Sequence, residues 1–164
     1  MGVSHPAILH HFHSREGLVK SVVERAIRTL QDDLLRAMST SDGASGDALL
    51  DRVYETLATR GHARLMAWLL LSGEEPLDGP EIKAKWRTII DATHAARTAT
   101  STKGAAPSHE DTAFAVVLSA LAIFGQAIAG PATFALAGLG RGAPVGVRFR
   151  RWLGALLGEH LAPK

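Results

Sequence analysis

The chain of 164 residues contains no cysteine, and this absence excludes disulfide bonds, thiolate metal ligands and cysteine nucleophiles. A sequence without cysteine fits a reducing compartment, so we expect a cytoplasmic protein. Strong charge of one sign is lacking too, because 18 Lys and Arg residues nearly balance 16 Asp and Glu residues. The formal net charge of +2 is too small, by itself, to indicate a nucleic-acid partner. No secretory signal pattern opens the sequence, so we do not expect secretion.

Catalytic motifs are equally absent. The sequence has no nucleophile elbow, phosphate-binding loop or HExxH zinc motif. Its paired carboxylates, Asp32 with Asp33 and Glu74 with Glu75, are adjacent residues and cannot share one face as a catalytic acid and base must. We therefore expect a binding protein that is not an enzyme and holds no cofactor.

What the sequence does contain is helical periodicity. Hydrophobic residues make up 46% and charged residues 21%, as in folded domains. Apolar residues recur at spacings of three and four, which predicts helices over residues 14–38, 47–60, 62–71, 80 to the loop at 103–107, 108–130 and 148–161. Ser14, and Ser108 with Asp111 three residues later, are placed to cap two of these helices. No β-pattern or internal repeat competes, so the sequence predicts an all-α fold.

The most informative segment is residues 2–18, which read Gly-Val-Ser-His-Pro-Ala-Ile-Leu-His-His-Phe-His-Ser-Arg-Glu-Gly-Leu. This segment resembles the end of the TetR-family DNA-binding domain. In that family a Gly-Val-Ser turn precedes the recognition helix, a His-Phe pair closes it, and Ser-basic-Glu-x-Leu begins the connecting helix. The resemblance implies a partial helix-turn-helix head and connecting helix over residues 1–38, with the recognition helix at about 4–12. A TetR-like helical ligand-binding and dimerisation domain then occupies residues 39–164.

By this resemblance the recognition helix enters the major groove of double-stranded operator DNA, where side chains that reach base edges read the sequence. The positions that it assigns to DNA binding are Ser4, His5, Pro6, Ala7, Leu9 and His10, with Arg15 on a backbone phosphate. The sequence departs from the family at Ala7 and Leu9, where threonine and tyrosine are common. The family also places two helices before the Gly-Val-Ser turn, so we expect operator binding from a complete form with an upstream start. Such a protein is a ligand-responsive transcriptional repressor, and a dimeric ligand-binding module without DNA binding is the alternative.

Four histidines, at positions 5, 10, 11 and 13, raise the alternative of a metal site because imidazole is a common metal ligand. On a helix only residues spaced three or four apart share a face. No pair within His5 to His11 has that spacing, and the pair His10 and His13 crosses the predicted helix end. We therefore expect no metal.

An effector pocket among the helices of the body is a further implication of the resemblance. Large apolar residues there suit a largely apolar small molecule, oriented by a few polar groups. The predicted lining is His62, Leu65, Met66, Leu69, Trp86, Ile89, Ile90, His94, Phe114 and Leu118, with Trp68 and Gln126 as further candidates. Apolar residues at helical spacing also fill ordinary cores, so core packing remains the alternative for each of them.

Residues 112–140 contain no charged side chain, and this run is long enough to span a bilayer. Gln126, Pro131, many small residues and the absence of Trp or Tyr at either end argue against insertion. We expect instead that this helix and the last one pair with their copies in a homodimer, as a four-helix bundle. The predicted dimer contacts are Val117, Leu121, Phe124, Ala127, Ile128, Phe149, Trp152, Leu153, Leu156 and Leu157.

A basic cluster, Arg141, Arg148, Arg150 and Arg151, has no acidic residue within it. Such a cluster could contact nucleic acid or anionic lipid. Because it leads into an amphipathic helix, we interpret it as a solvated face and expect no membrane partner.

Overall fold

A computed structural model describes residues 14–39, 46–59, 61–75, 77–100 and 107–161 of the chain. These residues form six α-helices and no strand, which confirms the predicted all-α fold. In chain order the helices are α1 (Arg15–Ser39), α2 (Gly46–Tyr54), α3 (His62–Leu71), α4 (Pro80–Thr100), α5 (His109–Leu136) and α6 (Ala143–Leu161), and a π-helical segment, Glu55–Thr59, continues α2.

Both predicted serine caps are present. The Gly17 backbone N–H donates to Ser14 Oγ at 2.9 Å, and the Asp111 N–H donates to Ser108 Oγ at 3.0 Å. Each bond satisfies one of the backbone donors that the first turn of a helix leaves free. Gly61, with φ at 71°, separates the π-helical segment from α3, a conformation that glycine adopts without steric cost.

A single apolar core takes residues from all six helices and from the π-helical segment. α2 packs most extensively on α6, and α1 lies against α3 and α4. The buried core members are Val23, Ile27, Leu50, Leu57, Ala63, Met66, Leu69, Ile82, Ala115, Ile123, Leu153 and Leu157.

Two helix boundaries differ from the prediction. α5 continues beyond Gly130 to Leu136 with Pro131 inside it, and α6 begins at Ala143 instead of near residue 148. Packing accounts for the first difference, because the Phe134 ring lies 5.5 Å from the Phe149 ring and holds the last turn of α5 against α6. A Schellman-type turn then ends α5, since the Leu139 N–H donates to the Phe134 carbonyl at 2.8 Å.

Candidate functional site

Helix α5 has an inner face in the core and an outer face that the other described residues leave uncovered. Thr112, Ala115, Ile123, Gln126 and Gly130 are buried. The outer face is apolar as well, and Leu121 at its centre is 62% exposed. The exposed apolar residues of this face are Phe114, Val117, Leu118, Leu121 and Ile128.

Helix α6 is divided in the same way. Leu153 and Leu157 are buried in the chain's own core, whereas Trp152, 59% exposed, and Leu156 lie on the outer side. We call the seven exposed residues Phe114, Val117, Leu118, Leu121, Ile128, Trp152 and Leu156 the α5–α6 face. It contains five of the ten predicted dimer contacts. Of the others, Phe124, Ala127 and Phe149 are partly buried against the core, and Leu153 and Leu157 belong to it.

By length and composition α5 could cross a membrane, and it is the one described helix of which this is true. Its most apolar window has a mean hydropathy of 2.0, and 22% of that window is buried inside the chain. Apolar helices at the centre of water-soluble proteins share the same length and composition. What distinguishes α5 from an ordinary core helix is the large apolar area that it leaves uncovered.

Two polar contacts fix α6 in place. Nε2 of the buried Gln126 on α5 donates to the Gly146 carbonyl at 3.1 Å. The guanidinium of Arg150 pairs with the Asp51 carboxylate and lies 4.1 Å from the centre of the Tyr54 ring. Arg150 is only 7% exposed, so its guanidinium lies in a poorly hydrated place between α6 and α2, whereas the Asp51 side chain remains 47% exposed.

A cleft of about 660 Å³ opens between α1 and the π-helical segment. One wall is a stripe along α1 with spacings of three and four, and the other is the π-helical segment with the first residue of α3. Its lining residues are Val22, Arg25, Ala26, Thr29, Asp33, Glu55, Thr56 and His62. The walls are therefore mixed, with apolar, hydroxyl and charged groups of both signs.

His62 is held at the edge of this cleft by the π-helical segment. Its Nδ1 lies 2.9 Å from the Thr56 carbonyl oxygen. Because a carbonyl only accepts, Nδ1 is the donor in this contact. π-helical segments occur frequently at functional sites, which fits a role for this corner in ligand binding.

The structure does not bring the ten predicted pocket residues into one cavity. His62 alone lines the cleft. Met66, Leu69 and Ile89 are buried, and Leu65 and Trp86 pack against the core. Ile90 is half-buried on α4, whereas Phe114 and Leu118 are exposed on α5. Of the further candidates, Gln126 is buried and Trp68 is partly exposed.

His94 belongs to a polar network at the junction of α4, α5 and α6. Its Nδ1 lies 3.1 Å from Thr112 Oγ1. Arg97 donates to the Asp111 carboxylate at 2.5 Å, and His160 Nε2 lies 3.0 Å from the other oxygen of that carboxylate. Hydrogen bonds from Arg97 first, and then from His160, hold the pKa of Asp111 below its ordinary value.

Of the residues predicted to bind DNA, Ser4, His5, Pro6, Ala7, Leu9 and His10 lie outside the described residues, as do the histidines at 11 and 13. Arg15 is described, is exposed, and begins α1 with its guanidinium 5.9 Å from the centre of the Trp68 ring. Among the described residues, no group of three or more His, Asp or Glu side chains is arranged to hold a metal ion.

The cleft-lining residues of α1 were missed by sequence reasoning. Their signal is a polar stripe, Arg25, Thr29 and Asp33, at the four-residue spacing that places side chains on one helix face. A search for apolar pocket residues does not select such a polar stripe. The same stripe is also typical of a helix face that is simply exposed to solvent.

No protein-family model, curated protein sequence or solved structure matches this chain.

Proposed function

We propose that the protein is a homodimeric, ligand-responsive transcriptional repressor of the TetR type, cytoplasmic and without enzymatic activity. In this proposal it binds double-stranded operator DNA through Ser4, His5, Pro6, Ala7, Leu9, His10 and Arg15. The observation that carries the proposal furthest is the exposed α5–α6 face, because it lies on the two helices that the family resemblance assigns to dimerisation.

The composition of the face supports self-association. Seven large apolar residues of one chain remain exposed on two neighbouring helices. Monomeric soluble proteins rarely expose a large contiguous apolar patch. Complete burial of one such side chain contributes about 1.5–3 kcal/mol, and residues that are 37–65% exposed in one chain can still gain about half of that. A two-fold axis would place the same face of both copies in contact, so each residue would be buried twice per dimer.

The position of the cleft supports ligand response. α1 supplies one cleft wall, from Val22 to Asp33, and it begins at Arg15, directly after the segment that resembles a recognition helix. A ligand that binds better to one position of α1 would shift the spacing of the two heads in a dimer. That shift changes DNA affinity only if the two positions fit successive major grooves differently.

The dimer is tested by sedimentation velocity or multi-angle light scattering at micromolar concentration. We expect a dimer for the wild type and a monomer for Leu121→Glu, with unchanged helix content in circular dichroism. Leu71→Glu is the matched control, because Leu71 is 89% exposed on α3 and lies outside the α5–α6 face. A wild-type monomer, or equal loss of dimer in both variants, would contradict the proposal.

DNA binding is tested by selection from a random duplex pool. The protein used should carry the two helices that the resemblance places before residue 2. We expect a palindromic half-site pair whose affinity falls steeply with salt, as phosphate contacts require. Selection of no duplex by a confirmed dimer would favour the alternative, a dimeric small-molecule-binding module.

A further inference from the structure

The end of the α5–α6 hairpin carries two highly exposed leucines. Leu136, at the last turn of α5, is 90% exposed, and Leu139, in the turn that follows, is 56% exposed. Neither residue belongs to the α5–α6 face. The Schellman-type turn fixes the backbone here, with Gly138 at φ 73°, so the exposure of both leucines belongs to an ordered turn.

Arginines follow these leucines without any compensating acid. Arg141 lies in the turn, and Arg148 and Arg151 share one face of α6, three residues apart. All three are exposed, and none forms an ion pair with another described residue. No acidic residue occurs between Asp111 and Glu159 in the sequence. The fourth arginine of the cluster, Arg150, is buried and paired with Asp51, so it is excluded from this surface.

These five residues, Leu136, Leu139, Arg141, Arg148 and Arg151, form what we call the basic tip. The rise of an α-helix is 1.5 Å per residue, so Arg148 lies only about 8 Å along α6 from its first residue, Ala143. The leucines therefore project at the end of the hairpin, with the arginines in and directly behind the turn.

We propose that the basic tip binds the surface of an anionic lipid bilayer, a partner that goes beyond the proposed regulatory function and replaces the sequence-based expectation of no membrane partner. The two leucines enter the headgroup region, and the three guanidinium groups bind lipid phosphates. Peripheral membrane binding requires two such signals, because a small apolar group or a few charges alone bind weakly and reversibly. Duplex DNA would also bind the arginines, but a leucine enters it only by unstacking a base step at a cost of a few kcal/mol, whereas a bilayer accepts both leucines without such a cost, so the combination favours lipid.

The test is sedimentation of the full chain with vesicles of phosphatidylcholine alone and of phosphatidylcholine mixed equally with phosphatidylglycerol. We expect binding to the mixed vesicles only, with release by added salt. A triple variant with Arg141→Gln, Arg148→Gln and Arg151→Gln should lower the partition coefficient roughly 100-fold, since each arginine near an anionic surface contributes about a fivefold factor. The control triple variant neutralises exposed arginines elsewhere, with Arg52→Gln, Arg64→Gln and Arg87→Gln, and should change binding by less than about threefold.

A second matched pair separates the leucines from the charges. Leu136→Ser should lower binding to mixed vesicles by about tenfold, whereas Leu71→Ser, at a leucine that is equally exposed elsewhere, should not change it. No binding to mixed vesicles, or an equal loss in both triple variants, overturns the proposal. Binding to neutral vesicles that Leu121→Glu abolishes would assign the interaction to the α5–α6 face. Tip-dependent binding to random duplex DNA without vesicle binding would assign the arginines to nucleic acid.

Discussion

Replacing Gly146 with alanine tests the contact that fixes α6 against α5. A Cβ atom at this position would stand 2.7 Å from Nε2 of Gln126, closer than nonbonded atoms approach, so the carboxamide must move. That movement distorts the 3.1 Å hydrogen bond from Nε2 to the Gly146 carbonyl and should weaken or break it. The side chain is buried and its Oε1 has no hydrogen-bond partner among the described residues, so the bond from Nε2 is the polar contact that holds the carboxamide.

Two opposing effects determine how much Gly146→Ala changes the free energy of unfolding. Alanine is favoured over glycine inside a helix by about 0.5–1 kcal/mol. Leaving a buried donor without an acceptor costs about 1–3 kcal/mol. We expect Gly146→Ala to lower the free energy of unfolding by about 1 kcal/mol. Gly158→Ala on the same helix, where a Cβ would meet open space, should raise it by about 0.5–1 kcal/mol.

The assay is urea unfolding followed by circular dichroism, with all variants at one protein concentration because the stability of a dimer depends on it. The difference between the two glycine variants isolates the contact with Gln126. In a Gln126→Ala background, Gly146→Ala should no longer destabilise the protein, since the clashing atom is gone. Equal stabilities for Gly146→Ala and Gly158→Ala would refute the reasoning.

Three further predictions concern the same helices. Arg150→Met should destabilise the fold by about 1 kcal/mol in urea unfolding, because it removes the ion pair with Asp51 and the contact with the Tyr54 ring, while the 47% exposed Asp51 carboxylate can still be hydrated. Asp111 has a lowered pKa, so its carboxylate stabilises the fold above the ordinary pKa of 3.8 and ceases to do so as pH falls through the lower folded value. The melting temperatures of Asp111→Asn and wild type should therefore differ most near neutral pH and converge in acid. Leu153→Ala should cost about 2–5 kcal/mol of stability, whereas Leu156→Ala should raise the dimer dissociation constant roughly tenfold in sedimentation equilibrium.

Helix existence was predictable from the sequence because the signals are local. Ser14 and Ser108 were predicted as caps from residue type and position, and both bonds are present. The helix that begins at Pro80 was predicted from the breaker cluster before it. In each case the deciding groups lie within one or two turns of each other, so no knowledge of tertiary packing was needed.

Helix boundaries that depend on packing were not predictable. Pro131 removes one backbone donor, which ordinarily ends a helix, and the sequence predicted an end at Gly130. α5 continues because the following turn is held from outside, through Phe134 against Phe149. The last helix was predicted to begin near residue 148, yet it begins at Ala143, with Val145 and Gly146 buried and Gly146 bonded to Gln126 of α5. The π-helical segment after Tyr54 has no sequence signal of comparable strength.

The residues that line the candidate cleft were predicted least well, because their position, like a packing-dependent helix boundary, is not determined by local sequence. A leucine in the core and a leucine on a pocket wall have the same spacing along a helix, so the pattern cannot separate them. Met66 and Leu69 fill the core, whereas the cleft is lined by groups such as Arg25 and Glu55. Of the ten predicted pocket residues, His62 is the one that lines the cleft.

Helix α6 has apolar residues on two sides, one in the core of the chain and the other on its proposed dimer interface. Leu153 and Leu157 face inward, whereas Trp152 and Leu156 are each one residue earlier and therefore rotated by about 100° to the outer side. Together they cover a wider arc than the apolar stripe of a surface helix, which indicates a helix placed between its own core and a partner. Because the inward pair is already buried in one chain, truncating it perturbs folding at any protein concentration. Truncating Trp152 or Leu156 should lower stability only at concentrations at which the dimer forms. The concentration dependence of the loss of stability therefore distinguishes core residues from residues of the proposed dimer interface.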